Sequence, residues 1–264
     1  SLRRLFLQQA QAVSTDFIME IKTDNTGTSN NDQFTIPAIG TYDIDWGDGT
    51  IETLTGTQTH TYSVAGTYDV SVSGGLQQIN FNNGGDKSKL TDIKQWGDIS
   101  WTSMVSAFYG CSNISIISST DAPDLGIVTN LQTMFGSTNF NTDISNWDFT
   151  NVENFTQMFL ATPFNQDVSA WDMSSALSLL QMFRLNNSFD RSLANWDINQ
   201  VTSFSSMFFQ SAGLSTANYD ATLISWAAQA PQSNQSTNFG GSQYTLGGAA
   251  EAARTTLTTT YNWT

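Results

Sequence analysis

One cysteine, Cys111, and one histidine, His60, are all that 264 residues offer of the two side chains most used in nucleophilic and metal chemistry. A zinc site needs several such ligands converging, and a disulfide needs two thiols, so the chain forms neither on its own. Cys111, set between Gly110 and Ser112, reads as a small buried residue and not as a nucleophile. Basic side chains are scarce as well. Nine Lys and Arg face 23 Asp and Glu, a formal net charge of −14. Such a chain repels phosphate backbones and shows no basic patch, so nucleic acid is not expected as a partner. No run approaches the ~20 apolar residues of a membrane span, so no membrane insertion is expected. P-loop, G-x-G-x-x-G, H-E-x-x-H and G-x-S-x-G contexts are missing, and with them any sign of a cofactor.

What is present suffices for a core. The chain is 39% hydrophobic and 12% aromatic. Its length suits two modules, or one module followed by a repeat array. The opening "SLRRLFLQQAQAV" is too short and too broken by glutamine for a secretory signal. It lacks an initiator Met, which suggests a processed or partial chain. Residues 1–15 read as an amphipathic helix or arm with Leu2, Leu5, Phe6 and Val13 on one stripe. That stripe either packs on its own protein or forms an assembly contact with a neighbour, giving an oligomer.

From Asp16 the pattern alternates. "GTYDIDWGDGT" puts Tyr42, Ile44 and Trp46 on one face of a strand and Asp43 and Asp45 on the other. "HTYSVAGTYDVSVSG" supplies a second alternating run, Tyr68, Val70 and Val72, after a turn at Gly66. Short strands at this spacing indicate a β-sandwich. The W-G-D-G turn, followed by His60, Tyr62, Gly66, Tyr68, Val70 and Val72, resembles the polycystic-kidney-disease (PKD) type of immunoglobulin-like domain over about residues 16–80. The resemblance implies an extracellular spacer or interaction module without an active site. Asp43, Asp45 and Asp48 together invite a calcium site. The solvent face of the alternating strand accounts for Asp43 and Asp45 more simply, and the turn for Asp48, so no metal site is assigned, although the sequence does not decide whether calcium binds. His60 reads as a hydrogen-bonding partner of the nearby turn, since no nucleophile motif accompanies it.

Residues 81–100 read as a polar junction with a short strand around Leu90 to Ile93. Then the chain repeats itself. Met-Phe pairs fall at 134–135, 158–159, 182–183 and 207–208. Trp147, Trp171 and Trp196 keep the same steps, as do Phe140, Phe164 and Phe189, and a degenerate earlier copy begins at Trp101. A period of 24–25 residues is the sign of a leucine-rich-repeat-like array, in which each copy buries its large residues against the next. The expected architecture over 101–215 is a right-handed α/β solenoid. Phe140, Ile144 and Trp147 lie on its strand side, and Val152, Phe155, Met158 and Phe159 on a short helix opposite. Asn141 and Asn165 are expected to bond from copy to copy, and Asp148, Asp172 and Asp197 to shape turns. A C-terminal helical cap follows over 216–264, with Leu223, Ile224 and Trp226 covering the last copy.

"FNTDISNWDFTNVENFTQMF" and its sister copies resemble the BspA-like leucine-rich-repeat surface proteins over about residues 98–264. This resemblance implies adhesion and the binding of protein or glycan at a cell surface. Pairings of a PKD-like domain with such repeats also resemble bacteriophage proteins, which implies the alternative of a virion structural or decoration protein in contact with neighbouring virion proteins. A third reading, a glycan-acting enzyme, would need paired acids in unlike environments. The ladders Asp143/Asp167 and Asp148/Asp172 offer like environments repeated, so an enzyme is not expected. Most aromatics carry the repeat period and read as core. Tyr109, Phe149 and Phe209 fall off that register and are the candidate exposed binding contacts.

Overall fold

A computed structural model describes residues 15–264. Leu2, Leu5 and Phe6 of the expected docking arm lie outside the described residues.

The N-terminal region is antiparallel β. Strands β1 (Phe17–Lys22), β3 (Ala38–Asp45), β4 (Ile51–Thr55), β6 (Thr67–Ile79) and β7 (Leu90–Gln95) form a five-stranded sheet in the order β4-β3-β6-β1-β7. Strands β2 (Gln33–Ile36) and β5 (Gln58–Thr61) pair separately. Alternation sets the faces: Phe17, Met19 and Ile21 from β1, Tyr42 and Ile44 from β3, and Val70 and Val72 from β6 are all buried. Gly40 breaks the β3–β6 register. It holds a φ of +112°, and a Cβ there would collide with the Gly75 carbonyl, so only glycine fits. The 81–100 segment is tied into this assembly. β7 pairs with β1, and the amides of Phe81, Asn82 and Asn83 donate to the carbonyls of Ala107, Ser106 and Tyr109.

The repeats do not form the expected architecture. No helix and no strand occurs between residues 96 and 215, and regular structure resumes only with α1 (Thr216–Ala228) and α2 (Ala249–Thr259). The expectation of a β-sandwich followed by a right-handed leucine-rich-repeat-like α/β solenoid is therefore corrected to an antiparallel β region, a helix- and strand-free repeat region, and two C-terminal helices.

Hydrogen bonding explains the difference. The amides of Phe155, Gln157, Phe159 and Ala161 donate to the carbonyls of Ser178, Leu180, Met182 and Arg184 in the next copy. A helix over 152–159 would need the Gln157 and Phe159 N–H groups for its own bonds four residues back. The alternate amides, Met158 and Leu160, close tight turns onto Phe155 and Gln157 three residues back. Alternation requires the backbone to reverse its hand, and φ is positive at Thr133 and Ser137, Gln157 and Ala161, Gln181 and Leu185, and Ser206 and Gln210. On the opposite side of each copy, Trp147 closes a turn onto Ile144 instead of extending as a strand.

The large residues do meet across copies. Phe135 and Phe140 stack at 3.8 Å between ring centroids, Phe159 and Phe164 at 4.0 Å, and Phe183 and Phe189 at 3.9 Å. Phe135, Phe159, Phe183 and Phe208 bridge successive pairs at 5.2–6.3 Å. Trp147, Trp171 and Trp196 are buried. Asn141 Oδ1 accepts from the Asn165 amide, and Asn165 Oδ1 from the Asp190 amide, continuing the copy-to-copy bonds at the edge. At one end Phe17, Trp96, Trp101, Phe108 and Trp147 form an aromatic cluster that joins sheet to repeats. At the other, α1 buries Leu223 and Trp226, whose Nε1 donates to the Leu193 carbonyl. Ile224 does not cover the last copy as expected; it is exposed.

Candidate functional site

Of the three off-register aromatics, Phe149 is a correction. It is 1% exposed and packs between Trp147 and Trp171. Its equivalents at 24–25-residue steps are Leu125, Met173 and Ile198, all buried, so the position is a core column occupied here by an aromatic ring. Comparing all four copies at that position would have revealed it.

The other two, half-buried Tyr109 and exposed Phe209, lie in one column four copies apart. Gly110 donates to the Gly136 carbonyl, Ser137 to Leu160, Ala161 to Arg184 and Leu185 to Phe209. Tyr109, Gly136, Leu160, Arg184 and Phe209 therefore occupy equivalent places in successive copies. The Tyr109 ring covers Gly136, where an added Cβ would come within 3.1 Å of it. The Arg184 guanidinium lies 5.6 Å from the centroid of the Phe209 ring, within the range of a cation–π contact. Leu185, beside them, is 40% exposed, as is Phe209. A second column borders the first: Gln157 Nε2 donates to Gln181 Oε1 at 2.6 Å, and that oxygen also faces Arg184 Nη1 at 3.5 Å. Arg184 Nε is buried without a hydrogen-bond partner, and among the described residues Arg184 makes no ion pair. The result is a stripe that carries Tyr109, Arg184 and Phe209, of residue types enriched at protein interfaces, together with Leu160 and Leu185.

The carboxylates are occupied by local turns. Asp143, Asp148, Asp167, Asp172 and Asp197 each accept from the backbone amide two residues on. Hydrogen bonds from Thr150 hold Asp148 below the ordinary carboxylate range, and those from Ser174 do the same for Asp172 despite neighbouring Asp148. The ladders thus place like groups in like settings. Asp43, Asp45 and Asp48 do not converge either. They accept from Thr53 Oγ1, from the Gly47 amide, and from the Thr50 amide and His60 respectively. Among the described residues no three His, Cys, Asp or Glu gather as a metal-binding group. His60 lies flat on Trp46 at 4.8 Å and bonds Asp48 at 2.8 Å. Burial pushes the Asp48 carboxyl up, but the bonds from His60 and Thr50 outweigh it and leave it lowered. Cys111 is buried, and desolvation pushes its thiol well above the ordinary value.

Sequence reasoning missed a buried ionic knot. Lys89 is fully buried, and its Nζ donates to Ser29 Oγ and to the carbonyls of Asn30 and Gln33 at 2.7–2.8 Å. Asp86 accepts from the amides of Thr28, Ser29 and Thr35 and from Ser29 Oγ. Together they pin the 24–35 loop. "GGDKSK" carries no periodicity that separates these residues from a solvated linker. Clefts lie elsewhere: a groove of about 420 Å³ beside Lys94, Gly97 and Asp121, one of about 360 Å³ beside Asp121, Asp143 and Trp147, one of about 220 Å³ beside Asp43, Asp45 and Ser71, and one of about 130 Å³ between α1 and α2. None of the stripe residues lines them. No helix among the described residues is long and apolar enough to cross a membrane.

These features define a class: an antiparallel β module joined to a ladder of short turns in which Tyr109, Leu160, Arg184 and Phe209 share one column. Residues 102–226 match a family described as "Mycoplasma protein of unknown function, DUF285". The match takes in the repeats and most of α1 and leaves the β region outside. No curated protein and no solved structure matches the chain.

Proposed function

We propose that the chain is a non-catalytic, surface-exposed binding protein that recognises a partner protein through the Tyr109–Phe209 face. The observation that carries this reading is the alignment of Tyr109, Gly136, Leu160, Arg184 and Phe209 along successive copies, with exposed Leu185 beside them and a guanidinium that has no ion-pair partner among the described residues. A face with aromatic and aliphatic anchors that lines none of the clefts suits another protein better than a small molecule, which needs a concave site. Arg184 calls for an acidic residue opposite it, because an ion pair formed as water is excluded adds specificity. The resemblance of the repeats to BspA-like surface proteins, and of the β region to PKD-type modules, supports a surface role.

The test is binding of the full chain to arrays of candidate surface proteins and of glycans. The combined variant Tyr109→Ser, Arg184→Glu, Phe209→Ser serves as the control, its fold checked by circular dichroism. We expect a discrete protein ligand whose affinity falls at least ~30-fold in the variant, the loss of two anchors at about 1 kcal/mol or more each. Ligands bound equally well by the variant, or glycans alone as ligands, would refute the assignment.

A further inference from the structure

Two clefts adjoin where the β region meets the repeats. Thr15, Lys94 and Asp98 line the first, of about 420 Å³, and Ile117, Asp143 and Trp147 line the second, of about 360 Å³. Thr120 and Asp121 line both. Their charge is one-sided. Asp98 and Asp143 are exposed, Asp121 is half-buried, and none of the three forms an ion pair among the described residues. The amides of Trp96 and Gly97 donate to Asp121, and the Ser145 amide to Asp143. Those bonds fix both carboxylates and leave each with acceptor positions open. Among the described residues Lys94 is the one basic side chain on these walls, and it is committed to Glu20 at 2.9 Å and to Asp69 at 2.6 Å.

The chain itself carries the complement. "SLRRLF" holds Arg3 and Arg4, two of nine basic residues in a chain of net charge −14, flanked by Leu2, Leu5 and Phe6. This segment joins the described structure at Thr15, a residue of the cleft wall. Arg4 stands eleven positions before Thr15, which gives it an extended reach of up to about 36 Å. Ile116, 70% exposed and next in sequence to Ile117 of the wall, offers apolar ground for Leu5 or Phe6. Tethering decides between occupants. A segment attached at the cleft faces it at an effective concentration in the millimolar range, roughly a thousandfold above a second copy of the chain at micromolar concentration. We propose that residues 2–6 of the chain's own N-terminal arm dock in these clefts, with Arg3 and Arg4 against Asp98, Asp121 and Asp143. The docking is independent of the Tyr109–Phe209 face.

The experiment is NMR of the full chain carrying a nitroxide label at Ser1→Cys. Buried Cys111 is replaced by Ser, or left in place as an inaccessible thiol where that variant does not fold. Paramagnetic broadening is expected at the amides of Gly97, Asp98, Thr120, Asp121 and Ser145. It should disappear in Arg3→Glu/Arg4→Glu and fall at least about two-fold at roughly 0.5 M salt, which screens exposed charge pairs. Asp98→Asn, at an exposed position, should reduce it about two-fold. A mixture of labelled chain without isotope and unlabelled, isotope-enriched chain separates the sources. Broadening in that mixture would assign the clefts to the arm of a second copy and overturn the proposal. So would broadening centred on other residues, no broadening, or broadening unchanged in Arg3→Glu/Arg4→Glu.

Discussion

Single buried side chains decide how parts of the fold are held together. Asp86 illustrates how. Burial opposes its ionisation, yet bonds from Ser29 and Thr35 and the charge of Lys89 leave its carboxyl below the ordinary value of 3.8. A carboxylate lowered in the folded state adds stability that is fully present above the unfolded value and is lost as pH falls through the folded one. We expect urea-unfolding stability to decline as pH drops below about 3.8, and the Asp86→Asn variant, less stable at neutral pH, to show a shallower decline in that window. An unchanged acid profile in Asp86→Asn would place the sensitivity elsewhere. Phe149 shows the opposite lesson about visibility. It looked free because only one copy carries an aromatic ring there, whereas its burial follows from Leu125, Met173 and Ile198 in the same column.

At the scale of elements, the sequence told which residues are buried far better than what conformation they take. Repetition of Phe, Trp and Met-Phe marks the interior because each ring needs its equivalent in the next copy. It does not mark the backbone. The spacing Val152, Phe155, Met158, Phe159 fits a helix turn, and also fits successive three-residue turns whose alternate amides reach sideways. The distinguishing signal is a left-handed φ, held by Gly110 in the first copy but in the later copies by Thr, Gln, Ser, Ala and Leu and not by the glycine or asparagine that would announce it. Neighbouring copies over-determine these positions through the inter-copy bonds, which offset their local cost. The contact face was half legible for the same reason. Tyr109 and Phe209 stood out as off-register, but Arg184 and Leu160 share their column only once the register of the bonds is known. Copies joined this way are interchangeable units. Deleting residues 140–163, one full period, should bring the amides of Leu131 to Ser137 opposite the carbonyls of Ser178 to Arg184 and leave a folded, cooperatively unfolding chain. Deleting 12 residues should destroy that match. A molten or aggregated product from the 24-residue deletion, read by near-ultraviolet circular dichroism, would contradict the equivalence of the copies.

For the whole molecule, these elements form one continuous interior. Rings run from the cluster of Phe17, Trp96 and Trp101, through the paired phenylalanines, to Phe239, Trp226 and Trp263 beside the C-terminal helices. The Tyr109–Phe209 face, the acidic turns and the cleft between α1 and α2 are set at different places on this frame. Their positions all follow from residues two dozen apart becoming direct neighbours. That claim is tested most directly by the distance between spin labels placed at positions 109 and 209, with Cys111 replaced by Ser, measured by pulsed electron paramagnetic resonance. Four ladder steps at the ~4.8 Å spacing of hydrogen-bonded neighbouring chains predict a single narrow distribution centred at about 20 Å. A distribution that is broad, or centred beyond about twice that length, would show that the copies do not lie side by side and would contradict the account.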